Sequence, residues 1–302
     1  MSQRMKTRCA IVLALMILLS VGSFFLLQAT EGSLLLSFLQ ATNMERPDSP
    51  KAFGAFHFGC LAGCLLLTLP TCAVAWRLSN DRRRAITDGV VFGAGVLFAC
   101  MELYKQLLCF FVIGNGQYDF SIFPFQFCTL PLYLCLVAPL MGEGTAKRAC
   151  YGFLALYSTV GGYLVVGYPR FYPQFTLCVH TMIWHSVMIA LGGFLLIAEE
   201  IGKDFREDLL HPTVMLGGSM AVATALNLLL RPRASRAVGV LNLFYLSPYE
   251  RTYFWGLRTI QDTLGWLPMF FSYGVAFFVL GAIPLWFLGR FFLKMRFRKN
   301  KL

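Results

Sequence analysis

In the run FPFQFCTLPLYLC, Phe123 to Cys135, a thiol and an amide stand close together: Gln126, then Cys128, just before Pro131. A cysteine at the start of an apolar segment is either a packing residue or a nucleophile. As a nucleophile it needs a partner that takes its proton, because the thiolate is the reactive form and an apolar setting disfavours it. His185, in CVHTMIWHS, can act as that base if a further polar group orients its ring. An oxyanion then needs backbone donors or a cation, and Lys105 is a cation of the right kind. Glu102 and Lys105, in CMELYKQLL, are three apart, share a helix face and can pair, with Gln106 beside them. His57 in FGAFHFG, His180 in CVHTMIWHS and Asn227 in ATALNLLL are the other polar residues placed in apolar surroundings. Each is a functional candidate because ionisable and polar groups are costly at bilayer depth. The plainer alternatives are a self-neutralised ion pair and hydrogen-bonding struts. A metal centre is the weaker reading: His180 and His185 point about 140° apart on a helix. His57 with one of them and Glu102 is the remaining ligand set, and no metal is expected.

These residues must be held by membrane helices. Of 302 residues, 57% are hydrophobic, 15% aromatic and only 14% charged, far more apolar than a soluble domain of this length. A spanning helix needs roughly 20 apolar residues. Eight segments qualify: 9–29, 53–76, 88–113, 126–141, 148–167, 176–198, 213–230 and 267–289. The expected fold is therefore all-α, a polytopic transmembrane bundle of about eight spans forming one integral membrane domain over residues 1–302. The first apolar stretch exceeds the 7 to 15 residues usual in a signal-peptide core, so it is read as an uncleaved helix. On straight spans, Cys128, His57, His180 and Asn227 fall within roughly 6 Å of the outer boundary, His185 about 14 Å down and Glu102 about 17 Å. Residues 231–266 are too polar to span and rich in Tyr and Trp. They read as an outer lid or partly re-entrant loop at a water–membrane boundary.

The net charge of +11 does not point to nucleic acid. Most Lys and Arg cluster at Arg4–Arg8, Arg77–Arg84, Lys147–Arg148, Lys203–Arg206 and Arg290–Lys301. That bias predicts both termini in the cytoplasm, at the plasma membrane, with the basic tails facing anionic headgroups. The ten cysteines lie in or at the ends of apolar spans, where cysteine behaves as a small hydrophobe, and no disulfide framework follows.

The order of FPFQFCTLPLYLCL, the Glu102–Gln106 cluster, TVGGYLVVGYP, HTMIWHSVMIALGGFLL and LNLFYLSPY resembles the bacterial YwaF-like integral membrane family. That family is similar to the vertebrate transmembrane-protein-164 family and, more distantly, to the androgen-induced-gene lipid hydrolases. The likeness runs from about Phe53 to Tyr249. It implies an acyltransferase acting on membrane phospholipid, with Cys128 as the acyl-accepting nucleophile, His185 as its base and no cofactor. The sequence departs from the bacterial pattern at Trp184, where many such members carry histidine. The competing function is a transporter or small-ligand-binding protein in which Glu102, Lys105 and the histidines relay protons or bind an anion. Oligomeric state is left open.

Overall fold

The computed structural model describes Thr7, residues 34–234 and residues 239–299; the expected span 9–29 lies outside them. Among the described residues the chain is helical throughout, without a strand. A short α1 (Leu34–Thr42) precedes α2 (Ala55–Arg77). Helix α3 (Asn80–Leu107) runs on through a π turn, Leu108–Ile113. The short α4 (Phe127–Leu140) is followed by α5 (Thr145–Gly167) and α6 (Phe175–Ala198). Helix α7 starts in a π turn, Arg206–Leu210, and continues over His211–Ala234. Last come α8 (Trp255–Leu264) and α9, which is Trp266–Ala276, a π turn Phe277–Ala282 and Ile283–Lys299.

Six of these helices, α2, α3, α5, α6, α7 and α9, are long and apolar enough to cross a membrane. Of the eight expected spans, the one at 9–29 lies outside the described residues, six are found among the described residues, and the one at 126–141 is corrected. The segment expected at 126–141 is the discrepancy: α4 is a 3₁₀ turn, eight residues of α-helix and a second 3₁₀ turn. Its 14 residues reach only about 21 Å, short of the ~30 Å hydrocarbon layer. Two prolines explain this, because Pro131 at the α-helical start and Pro139 in the last turn each lack a backbone donor.

The missing length is supplied by an irregular descent. After α3 the chain turns at Asn115 and Gly116, both with positive φ (47° and 83°). It then runs back along α3, and Gln106 Nε2 donates to the carbonyl of Ile122 at 2.7 Å. Gln106 is seven residues before the end of that helix, so the descent is about 10 Å. Non-helical backbone at such depth is tolerated only where protein surrounds it. Phe127, Leu130 and Leu132 at the foot of the descent are buried accordingly.

Helices α5 and α6 form the centre. Of the apolar window in α6, 78% is buried, against 11% in α2, which keeps most of its surface for lipid. Close approach in the centre relies on Gly161 and Gly162. A Cβ on Gly161 would lie 2.7 Å from the Phe127 ring, and one on Gly162 2.9 Å from the His185 carbonyl oxygen. Helix α5 also contains a π turn, Leu154–Ser158, whose loosened carbonyls at Leu154 and Ala155 are met by the hydroxyl of Thr159.

Basic residues gather at one end of the bundle, where Arg83 pairs with Glu200 and Arg296 donates to the Leu78 carbonyl. The other end is rich in aromatic residues. There Arg46 lies over the Phe175 ring at 3.8 Å, and Glu45 bridges to Gln174.

Candidate active site

The foot of the descent is fixed first. Gln126 precedes α4; its Nε2 donates to the Ser121 carbonyl at 3.3 Å and its Oε1 accepts from Phe244 N at 3.1 Å. The Thr129 hydroxyl returns to the Gln126 carbonyl at 2.8 Å. Phe244 belongs to a 3₁₀ turn, Leu243–Tyr245, dipping inward from the long connection between α7 and α8. Asn227 holds that turn from α7, accepting from Leu243 N at 2.8 Å and donating to Leu243 O at 3.1 Å. Phe244 and Tyr245 have φ of 57° and 59°, a costly conformation that persists only when its surroundings over-determine it.

Cys128 is the second residue of the first 3₁₀ turn of α4 and is half-buried. Of the first-turn N–H groups, that of Thr129 donates to the Gln126 carbonyl at 2.9 Å; the helix leaves those of Phe127 and Cys128 without an intrahelical partner, and that end of a helix favours negative charge. Its carbonyl accepts from Trp184 Nε1 at 2.9 Å. The straight-span depths expected for Cys128 and His185 are corrected by this bond, because Trp184 is about two and a half turns into α6 and Cys128 sits at its level.

His185 follows Trp184 and is buried. Its Nδ1 lies 2.7 Å from the Thr181 carbonyl. A carbonyl can only accept, so Nδ1 carries the proton and Nε2 carries the lone pair. That Nε2 is buried and has no hydrogen-bond partner. His180, one turn earlier, reaches the Met101 carbonyl through Nε2 at 3.0 Å and stacks on Trp184 at 5.7 Å. On the facing side of α3, Lys105 Nζ lies 2.9 Å from Glu102 Oε2, and Gln106 donates to Glu102 Oε1 at 2.7 Å. The His180 bond to the carbonyl of Met101, one residue before Glu102, ties α6 to this stretch of α3. The cluster thus offers a thiol at a helix start, a ring nitrogen free to accept a proton, and a cation on one side.

His57 stands apart. Its Nδ1 accepts from Phe53 N at 2.9 Å and its Nε2 meets the Val166 carbonyl at 2.7 Å. Both nitrogens are thereby used by backbone, which leaves none for a metal. No group of three His, Cys, Asp or Glu suited to a metal occurs among the described residues. Asn227 and Gln126 touch the cluster through the backbone they position. The nine cysteines among the described residues are all free.

Two features escaped the sequence. Trp184 had no partner in prospect, because nothing in the chain before it marks where the 114–126 descent ends. At the basic end, Asp88, Lys147 and Tyr151 form a buried network: Lys147 Nζ lies 2.8 Å from Asp88 Oδ1, and the Tyr151 hydroxyl donates to the same oxygen at 2.5 Å. Beside it, Arg148 pairs with Asp208 at 2.5 Å, while Asp208 Oδ2 accepts from the N–H groups of Gly202, Lys203 and Asp204. Asp88, Lys147, Arg148 and Tyr151 border a cleft of about 450 Å³. The available signal was Asp88, an acid at the beginning of an apolar span with cations at the start of another.

A family model, that of the TMEM164 family, matches residues 4–289. No curated protein and no solved structure matches the chain.

Proposed function

Because the chain belongs to the TMEM164 family, we propose that it is a membrane-embedded enzyme moving an acyl chain between phospholipids through a thioester on Cys128. The observation that supports this most is the pairing of a bare, buried His185 Nε2 with the Trp184 bond that sets Cys128 at the same level of the bundle. In the first half-reaction the thiol proton passes to Nε2 while Sγ bonds the ester carbonyl carbon. The lysolipid oxygen leaves and takes that proton from His185. In the second, the hydroxyl of an acceptor lysolipid gives its proton to Nε2 and attacks the thioester, and Cys128 recovers its proton. Oxyanion stabilisation falls to the N–H groups of Phe127 and Cys128 at the start of α4 and to Lys105. Neither half-reaction needs a soluble cofactor.

The test is to incubate detergent-solubilised protein with an alkyne-tagged phospholipid and look for hydroxylamine-sensitive label on the chain. Label is expected on the parent, absent in Cys128→Ala and strongly reduced in His185→Ala. Label that persists in Cys128→Ala overturns the reading. Full function of Cys128→Ala in cells would instead favour a transporter built on the Glu102–Lys105 pair.

A further inference from the structure

We propose that Arg170 with the hydroxyls of Tyr172, Tyr245 and Tyr253 is a phosphate subsite that receives the headgroup of the lipid whose ester reaches Cys128; this rests on the acyl-transfer reading. Arg170 lies in the connection between α5 and α6 at the aromatic end. Its guanidinium carbon is 5.8 Å from the centre of the Tyr172 ring and 5.9 Å from that of Tyr253. It has no acidic partner among the described residues, unlike Arg251 and Arg258, which share Asp262. The Tyr245 and Tyr253 rings are 5.6 Å apart. None of the three tyrosine hydroxyls has a hydrogen-bond partner among the described residues, and all three side chains are exposed. A guanidinium without an acidic partner, set against two tyrosine rings whose hydroxyls are unbonded, offers donors for the oxygens of a phosphate.

The place of Tyr245 makes this a substrate subsite and not an isolated surface charge. It ends the turn held by Asn227 and by Gln126, which is two residues before Cys128, and its ring stands 5.6 Å from that of Tyr253, the ring beside Arg170. In a glycerophospholipid only the glycerol separates the phosphate from the acyl esters. A lipid held by its phosphate at Arg170 therefore brings an ester down past Tyr245 toward the thiol. The aromatic faces beneath, Phe254 against Tyr273 at 5.9 Å and Phe277 against Phe127 at 4.9 Å, offer an apolar wall for the chain.

The experiment uses the full chain carrying Cys128→Ala, which cannot transfer an acyl group, so binding is read separately from chemistry. Its melting temperature in detergent is titrated with 1-oleoyl lysophosphatidate, with 1-oleoylglycerol and with inorganic phosphate. Only lysophosphatidate should stabilise it. Adding Arg170→Ala should weaken that apparent affinity by about tenfold or more, Arg170→Lys by less, and Tyr245→Phe by a few fold. Unchanged affinity in both Arg170→Ala and Tyr245→Phe overturns the proposal, as does the absence of stabilisation by lysophosphatidate. Equal stabilisation by 1-oleoylglycerol, or by phosphate alone, overturns it as well. If Cys128 proves unlabelled while lysophosphatidate binding still depends on Arg170, the acyl-transfer reading fails and the subsite stands.

Discussion

Asn227 grips Leu243 by both ends of its amide, accepting from the backbone N–H at 2.8 Å and donating to the carbonyl at 3.1 Å. The grip keeps an inward turn of non-helical backbone paired where water is scarce. Asn227→Leu should destabilise the protein by about 1–3 kcal/mol, since it strands two buried backbone groups. It should also lower Cys128 labelling, because Phe244 N then loses its register with Gln126. Gln126→Leu should do the same to labelling, and the double variant should be less damaging than the sum of the two. Additive losses would mean that the two amides act independently.

Glu102 and Lys105 are paired on one helix face at 2.9 Å. Removing one partner of a buried pair leaves an uncompensated charge, at a cost of about 3–5 kcal/mol, whereas removing both is far milder. Melting temperatures in detergent should therefore rank Glu102→Gln/Lys105→Met above Lys105→Met alone. The reverse order would show that the two charges do not depend on each other.

Gly161 admits the Phe127 ring where a Cβ would lie 2.7 Å from it. Gly161→Ala should lower both stability and labelling by pushing Phe127 away from α5 and Cys128 after it out of its bond with Trp184. Gly59, also helical, has open space around its Cα. Gly59→Ala should be neutral or stabilising by up to about 1 kcal/mol. Thermal melts of the two variants side by side separate packing from helix propensity.

Burial raises the Glu199 carboxyl above the ordinary carboxylate range, with Arg148 opposing the shift. A carboxyl whose pKa is higher folded than unfolded holds its proton more tightly in the native state. Its contribution is thus fully present below the unfolded value and is lost as pH rises through the folded one. The melting temperature of the parent should lose that increment on raising pH from the unfolded value through the folded one. In Glu199→Gln, which mimics the protonated acid, the increment should be absent. Parallel pH profiles for the two proteins would remove Glu199 from the account.

The bias of Lys and Arg predicts both termini in the cytoplasm. Reporter fusions at residues 1 and 302 should both read as cytoplasmic, and a terminus reading outside would invert the ends of the bundle.

The long spans were legible because each carries an unbroken apolar stretch, and the Glu102–Lys105 pairing because a spacing of three fixes a shared face. The level of Cys128 was not. Hydropathy treats FPFQFC as the upper edge of a span, whereas Gln106, Trp184 and Phe244 draw that edge down through hydrogen bonds between residues distant in sequence. The burial of Lys147 was hidden for the same reason: a lysine at a helix start reads as a headgroup contact until Asp88, 59 positions earlier, is found against it. Local pattern specifies helices, while depth and partners belong to the assembled bundle.

The π turn in α5 gives the helix a fixed phase offset. Below it, Lys147 and Tyr151 face Asp88; above it, Gly161 and Gly162 face Phe127 and α6. A π turn is one residue inserted into an α-helix, so losing one residue from Leu154–Ser158 would rotate one half against the other by about 100°. The hydropathy of the span would be untouched, yet the charged cleft and the thiol could no longer both be served by one rod. Chain length at this point acts as a timing mark between the two ends of the molecule, fixed more strictly than the identity of any side chain around it.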